Sequence, residues 1–166
     1  MEINLRPWNI SDLDNLVKFG NNFKIASNLT DTFPYPLTYE AGTNFITKVS
    51  ADSPAKVFAV VFNGDAIGSI GLFPQSDIFK KNAELGYWIA EPYWGKGIAT
   101  KAILLIVDYG FKTFDLTRIF ARPFGSNRAS AKALEKAGFS LEARLKNTIF
   151  KNGVFQDELI FGILNH

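Results

Sequence analysis

The chain contains no cysteine among its 166 residues. This absence excludes disulfide bonds, a thiolate nucleophile, cysteine-ligated zinc and iron–sulfur clusters. A chain without disulfides suits a reducing compartment, so we expect a cytoplasmic protein.

Histidine is nearly absent as well, since the single histidine is the last residue, His166. A catalytic serine–histidine–aspartate triad, or a metal site with several histidine ligands, would require this terminal residue to reach a pocket. Chain ends are seldom ordered enough for that. We therefore expect neither kind of site and no bound metal.

The sequence also lacks long apolar runs and a strong charge of one sign. No uninterrupted apolar run is long enough to span a bilayer, and residues 1–6 lack a basic and then apolar signal pattern. The formal net charge is only +2, which gives no global field for nucleic acid. We expect neither a membrane nor a nucleic acid as a partner.

What is present is the composition of a globular domain. Hydrophobic residues make up 47% of the chain and charged residues 20%, which is enough apolar surface for one core. The length is that of one ordinary domain. We predict a single domain over residues 1–166.

The charges are unevenly distributed along the chain. Residues 1–95 contain seven Lys/Arg and ten Asp/Glu, a balance of −3, whereas residues 96–151 contain eleven Lys/Arg and four Asp/Glu, a balance of +7. One interpretation is ordinary solvated charge. The other is a basic half for an anionic cofactor and a more acidic half for a cationic acceptor.

Hydrophobic patterning alternates between the periods of helix and strand. The order is a strand, helices, an antiparallel meander, two strand–helix units and a closing hairpin, which predicts a mixed α/β fold with helices on the faces of a sheet. The predicted strands are 1–5, 57–62, 66–73, 82–90, 118–122, 139–144 and 156–164, and the predicted helices begin near residue 11 and cover 39–50, 98–114 and 127–137.

Short cap and turn signals locate several boundaries. Ser11 is the expected N-cap of the first helix. Asn63 and Gly64, between two apolar runs, predict a tight hairpin turn. Gly138 is expected in the left-handed conformation that ends a helix, and two prolines exclude a regular helix from residues 30–36.

The most informative segment is residues 84–100, which is predicted to run from a strand through a glycine loop into a helix. Such a junction points free amides at one place, and the helix dipole adds positive potential, so a phosphate is the natural ligand. Gly95 and Gly97 would let a bulky anion approach the backbone. The spacing is neither a P-loop nor the dinucleotide fingerprint, and an ordinary tight turn stays open as the alternative.

Residues 93–100 read Tyr-Trp-Gly-Lys-Gly-Ile-Ala-Thr. This segment resembles the acyl-CoA-binding signature of the GNAT superfamily of N-acyltransferases, a Gln/Arg-x-x-Gly-x-Gly/Ala loop. Gly97 and Ala99 occupy the matching positions, while Trp94 stands at the first position instead of Gln or Arg. That departure is similar to the RimJ/RimL-type branch of the superfamily.

A second segment carries the same resemblance. Residues 127–130, Asn-Arg-Ala-Ser, and 135–139, Glu-Lys-Ala-Gly-Phe, resemble the Asn-x-x-Ala/Ser and Glu-Lys-x-Gly-Phe parts of the superfamily's later helix. Residues 33–36, Phe-Pro-Tyr-Pro, resemble the RimJ/RimL branch. The resemblance covers nearly the whole chain, and it is specific for the family but not for the acceptor.

The resemblance implies a GNAT-like fold with a mostly antiparallel central sheet, and transfer of an acetyl group from acetyl-CoA, as co-substrate, to a protein N-terminal α-amine or a small amine. A homodimer is an expectation at the family level only. The pyrophosphate would sit on the amides of the glycine loop, and pantetheine would pair with the exposed end of the preceding strand. The implied cofactor-binding residues are Ile89, Ala90, Gly95, Lys96, Gly97, Ile98, Ala99, Thr100, Asn127, Ser130 and Lys136.

Because the chain lacks cysteine and a usable histidine, we expect direct attack of the amine in a ternary complex instead of a covalent acetyl-enzyme. The resemblance implies Glu84 as the general base, with Asp157 or Glu158 as the alternative. A backbone N–H near Ile89 would polarise the carbonyl. Many family members protonate the leaving thiolate with a tyrosine where this chain has Leu134, so Ser130 is the expected donor, with helix packing as its alternative role.

The acceptor is expected near aromatic residues. Phe33 and Tyr35 are interpreted as a lid over the acceptor. Trp88, Tyr93 and Trp94 are candidates for acceptor contact as well, but core packing is the preferred interpretation for Trp88. A different class of function also stays open, namely a CoA-binding sensor or interaction module that has the fold without turnover.

Overall fold

The computed structural model describes residues 2–166, and Met1, where the first predicted strand began, lies outside them. Among the described residues, seven strands form one sheet in the order β1-β2-β3-β4-β5-β7-β6. The pair β4–β5 is parallel, and β1–β2, β2–β3, β5–β7 and β6–β7 are antiparallel, so the predicted mixed α/β fold is confirmed. The strands are β1 Ile3–Pro7, β2 Val57–Phe62, β3 Asp65–Pro74, β4 Asn82–Ile89, β5 Arg118–Ala121, β6 Ser140–Lys151 and β7 Val154–Leu164, and the helices are α1 Leu13–Gly20, α2 Phe23–Ala26, α3 Tyr39–Ser50, α4 Ile98–Thr113 and α5 Arg128–Lys136.

The chain divides into two compact units. The first unit takes in the described residues up to Gly71 together with Tyr87–Ile98, and the second takes in Leu72–Gly86 together with Ala99–His166. The expectation of one N-acetyltransferase domain over residues 1–166 stays a prediction. No helix within residues 2–166 is both long and apolar enough to cross a membrane.

The first unit is built on the β2–β3 hairpin and helices α1 to α3. The hairpin turn has positive φ at Asn63, 50°, and Gly64, 88°, as its sequence predicted. Helix α3 begins after Thr38, whose hydroxyl accepts a hydrogen bond from the N–H of Ala41 at 3.1 Å. Residues 30–36 form no regular helix, as their prolines indicated.

The start of the first helix differs from the prediction. A short 3-10 helix, Ile10–Asp12, leads into α1, and its N-cap is Asn9 and not Ser11. Asn9 has the extended backbone of a cap, and its side chain accepts a hydrogen bond from the N–H of Ser11. Asp12 closes a capping box by accepting from the N–H of Asn9 at 2.9 Å. Asp12 is almost fully buried in this first turn.

The second unit is built on helices α4 and α5 and strands β5 to β7. Ile103 and Ile106 of α4 and Leu134 of α5 are fully buried. Helix α5 ends at Gly138, which has the predicted left-handed φ of 97°. Strand β6 is longer than predicted, and it is joined to β7 through a turn at Asn152 and Gly153.

Candidate active site

The turn between β4 and α4 carries the two glycines of the predicted phosphate loop. Gly95 and Gly97 are exposed and have positive φ values of 75° and 77°. A Cβ at either position would meet no described atom within 4 Å. Left-handed backbone and open space at the start of a helix together suit the close approach of an anion.

Trp94 closes this turn back onto the end of β4. Its indole Nε1 donates a 2.7 Å hydrogen bond to the carbonyl oxygen of Ile89. Its backbone N–H donates to the carbonyl of Glu91 at 3.1 Å. The residue that departs from the family signature therefore has a structural partner that the sequence did not reveal, and the Ile89 carbonyl already accepts one hydrogen bond inside the protein.

Glu91 ties the same turn to α2. Its carboxylate accepts hydrogen bonds from Lys24 Nζ at 2.7 Å and from Asn22 Nδ2 at 2.9 Å. These bonds, chiefly the one from Lys24, hold the pKa of Glu91 below its usual value. The backbone that leads into the glycines is thus held by side chains on a separate helix of the first unit.

The carboxyl end of β4 extends beyond its partner on one side. The parallel register pairs Asn82 with Arg118 and Glu84 with Phe120, and β4 then runs on to Ile89. At the end of the strand, the N–H of Ala90 donates to the carbonyl of Ile67 at 2.8 Å. The residue that follows β4 is therefore anchored within the first unit, beyond the stretch of the strand that pairs with β5.

Glu84 lies in a charged cluster of the second unit. Arg122, just after β5, binds Glu158 of β7 through Nε, and its Nη1 is 3.8 Å from Glu84 Oε1. Thr148 of β6 donates to the other oxygen of Glu158 at 3.1 Å. Glu158 is almost fully buried, whereas the Glu84 side chain keeps 34% of its surface exposed.

The environments of the three candidate bases differ. Burial raises the pKa of Glu84 above its usual value, Arg122 opposes this, and the charge of Glu158 adds to it. In contrast, hydrogen bonds from the N–H of Asn147 and from Arg144 lower the pKa of Asp157. Glu158 has both carboxylate oxygens engaged. Among the three, Glu84 is the carboxylate whose pKa is raised while its side chain stays partly exposed, which suits a proton acceptor.

Helix α5 has Asn127 and Ser130 at its beginning and Lys136 at its end. Asn127 is the N-cap, and its side-chain oxygen accepts a 3.2 Å hydrogen bond from the N–H of Ser130. Ser130 is half-buried, and Lys136 at the end of the helix is exposed. Leu134, at the position where many family members have tyrosine, is fully buried.

The predicted acceptor aromatics lie in the first unit. Trp88 is 9% exposed and belongs to the hydrophobic core, in agreement with the packing interpretation. Phe33 packs edge-on against it with ring centroids 6.1 Å apart. Tyr35 is exposed and pairs with Phe23 at 5.6 Å, and Tyr93 lies between Phe19 and Phe62.

The predicted residues divide between the two units. Within the first, the structure brings together the end of β4 and the glycine turn; within the second, it brings Glu84 together with Arg122 and Glu158. The sequence did not reveal Arg122 as a neighbour of Glu84, or Thr148 as a partner of Glu158. The first-unit residues are Phe33, Tyr35, Trp88, Ile89, Ala90, Gly95, Lys96, Gly97 and Ile98, and the second-unit residues are Glu84, Ala99, Thr100, Asn127, Ser130 and Lys136.

Comparison with known proteins identifies the family and the fold. The chain is similar to the probable N-acetyltransferase YjcK of Bacillus subtilis, with 38% identity over 99 residues, 60% of this chain and about half (55%) of that relative. It is similar over nearly its full length to a spermidine N(1)-acetyltransferase of Escherichia coli, with 27% identity over 99% of this chain and 87% of that protein. In three dimensions it resembles RimL, a ribosomal-protein alpha-N-protein acetyltransferase solved in complex with coenzyme A. The TM-score is 0.85 at 19% identity, covering 98% of this chain and 93% of RimL.

The family profile described as "Acetyltransferase (GNAT) domain" matches residues 2–140, which is most of the chain. The predicted family is confirmed, and a protein of the RimJ/RimL type is among its structural neighbours. The chain therefore belongs to the GNAT family of acetyltransferases and is an N-acetyltransferase.

Proposed function

We propose that residues 1–166 act as one domain that moves the acetyl group of acetyl-CoA to a primary amine by direct attack in a ternary complex. The observation that carries the proposal is the glycine turn, since Gly95 and Gly97 combine left-handed backbone with open space at the beginning of α4. The absence of cysteine supports a mechanism without an acetyl-enzyme. The same absence supports a location in a reducing cytoplasm.

Acetyl-CoA is proposed to bind along β4 and its turn. The pyrophosphate would lie on the amides of Gly95, Lys96, Gly97, Ile98, Ala99 and Thr100. Pantetheine would pair with the backbone of Ile89 and Ala90, whose carbonyl oxygens each accept one hydrogen bond within the protein and have a second lone pair for a pantetheine amide. Asn127, Ser130 and Lys136 of α5 complete the proposed set. The side chain of Asn127 already caps α5, so we assign it the indirect role of holding Ser130 in place.

The proposed chemistry begins with a proton. Glu84, directly or through a water molecule, accepts a proton from the substrate ammonium, and the free amine attacks the thioester carbonyl carbon. A backbone N–H near Ile89 stabilises the developing oxyanion. As the C–N bond forms, the nitrogen loses its second proton to solvent and the C–S bond breaks. The departing sulfur takes a proton from the Ser130 hydroxyl, which is reprotonated from solvent.

The acceptor is proposed to be a protein N-terminal α-amine or a small amine. Support comes from the relatives, since RimL is an alpha-N-protein acetyltransferase and the Escherichia coli relative acts on spermidine. Of the aromatic candidates, exposed Tyr35 and half-buried Phe33 are the better placed to touch an acceptor. Trp88 would act from beneath, by packing against Phe33.

A thiol-release assay tests this function. Because the chain has no cysteine, a thiol-reactive dye reads only the CoA that is released. With acetyl-CoA and a panel of spermidine, other small amines and short peptides, we expect release that depends on the amine. Glu84→Gln should lower the rate at saturating amine by ~10²–10⁴, the usual contribution of a general base, while acetyl-CoA binding is kept.

Glu142→Gln is the matched control, because Glu142 is also a carboxylate of the second unit that pairs with an arginine, Arg118. Its rate should stay near that of the wild type. A Glu84→Gln rate within a few-fold of wild type would show that Glu84 is not the base. Binding of acetyl-CoA without release for any amine would instead indicate the binding-only module.

A further inference from the structure

Arg122 lies near two carboxylates, Glu158 and Glu84, and is hydrogen-bonded to only one of them. Its Nε is hydrogen-bonded to Glu158, whereas its Nη1 stays 3.8 Å from the nearest oxygen of Glu84, which is beyond hydrogen-bond distance. Thr148 holds the second oxygen of Glu158. Arg122 therefore binds Glu158, which has no part in the proposed chemistry, and not Glu84.

The unequal burial of the two carboxylates explains this preference. Glu158 is only 5% exposed. A buried charge without a partner is destabilising, so pairing with the guanidinium stabilises Glu158 more than it would stabilise Glu84. Glu84 has a third of its side chain in contact with solvent, which can solvate its charge. Arg122 itself is about half exposed, so its position is set by its partners more than by packing.

We infer that Glu158 is a positioning residue for Glu84: by binding Arg122 it holds the guanidinium back from Glu84 and leaves that carboxylate free to accept a proton. The inference rests on the proposed role of Glu84 as the base. Glu158 touches neither substrate in this account. It acts through Arg122.

The electrostatics of the cluster point the same way. Arg122 and Glu158 are the charged groups whose fields act on Glu84, and Thr148 is the neutral polar group that completes the cluster from β6. Burial keeps the pKa of Glu84 raised, Arg122 lowers it and Glu158 raises it. A guanidinium that moved into hydrogen-bond contact with Glu84 would stabilise the charged carboxylate and make it a weaker base.

The test is the pH profile of kcat/KM for Glu158→Gln in the full chain. Loss of the Glu158 charge removes one group that raises the pKa of Glu84 and releases the group that lowers it. We therefore expect the acidic limb of the profile to move to lower pH and the plateau to fall. When each profile is expressed as a fraction of its own plateau, Glu158→Gln should retain a larger fraction of kcat/KM at acidic pH than the wild type does.

Two further variants make the result decisive. In the double variant Arg122→Gln/Glu158→Gln the competing guanidinium is gone, so the limb should return to the wild-type position or above it. Glu142→Gln removes the equivalent partner of Arg118 and should leave the limb unshifted. A purely structural Glu158 predicts a lower melting temperature with an unmoved limb in Glu158→Gln, which would overturn the inference.

The outcome also separates this inference from the proposed function. If Glu84→Gln is inactive but the limb does not move in Glu158→Gln, Glu84 is the base and Glu158 does not position Arg122. If Glu84→Gln keeps its rate, the assignment of the base is wrong and the inference fails with it.

Discussion

At the scale of single residues, the pair Arg6–Asp12 stabilises the start of the first helix. The guanidinium binds both oxygens of Asp12, at 2.7 and 2.8 Å, and the N–H of Asn9 adds a third hydrogen bond. Asp12 is almost fully buried. Asp12→Asn should lower the free energy of unfolding by about 1–3 kcal/mol, since it removes charge-assisted hydrogen bonds in a buried place. Urea unfolding at neutral pH measures this loss.

The stability lost in Asp12→Asn should decrease as the pH falls. The hydrogen bonds from Arg6 hold the folded-state pKa of Asp12 below its usual value, although burial opposes them. The stabilisation is therefore complete above the ordinary aspartate pKa of about 3.9 and declines as the pH falls through the lower folded-state value. The difference in free energy of unfolding between the wild type and Asp12→Asn should therefore become smaller at acidic pH. Asp52→Asn, at an exposed site of the same unit, should show neither the loss nor the narrowing.

At the scale of elements, the glycine turn is tested by a pair of substitutions with the same backbone cost. Gly97 and Gly64 both have positive φ, 77° and 88°, and a methyl group added at either position would meet no described atom within 4 Å. Alanine at either position should cost about 1 kcal/mol or slightly more for the left-handed conformation. Only Gly97→Ala should also lose the rise in melting temperature that acetyl-CoA gives the wild type, because its methyl group occupies the space proposed for the pyrophosphate.

Gly64→Ala is the control for strain, since it lies in the β2–β3 turn and not in the proposed loop. Equal thermal shifts by acetyl-CoA in the two variants would contradict the phosphate-loop assignment. Loss of the shift in both would point to a general effect of destabilisation.

The elements also show what the sequence could predict. Helix α3 has the predicted bounds, and the Asn63–Gly64 turn formed where its residues indicated, because caps and tight turns depend on neighbours in the chain. Strand β6 was predicted to stop at residue 144 but continues to Lys151. Its second half is largely exposed and contains Asn147 at a φ of 54°, with a shift of register against β7 nearby. An exposed, interrupted strand has no apolar alternation to reveal it.

The features of the candidate site likewise divide into those that the sequence could predict and those that it could not. The glycine turn could be found because its residues are consecutive. The bond from Arg122 to Glu158 joins residues 36 positions apart, and it depends on the register of strands that the sequence does not state. The same holds for Asn9 and Ser11, since both are good capping residues and only the backbone conformation decides between them.

At the scale of the whole molecule, the uneven charge distribution makes a prediction about salt. Residues 96–151 carry a balance of +7, and acetyl-CoA is a polyanion. If this half attracts the cofactor, the KM for acetyl-CoA should rise several-fold between roughly 0.01 M and 1 M salt, as the Debye length falls from about 30 Å to about 3 Å. Initial rates at saturating amine measure it, with kcat as the internal reference. A flat KM over that range would favour ordinary solvated charge.

The three tryptophans are unequally placed, and this has an optical consequence. Trp8 and Trp88 are 3% and 9% exposed, whereas Trp94 is 45% exposed and hydrogen-bonded at the mouth of the glycine turn. Buried indoles emit at shorter wavelengths than hydrated ones, so the long-wavelength side of the fluorescence belongs mainly to Trp94. Trp94 is thus an intrinsic fluorescent probe beside the glycine turn. Quenching of the long-wavelength emission should report on changes at this turn without any added label.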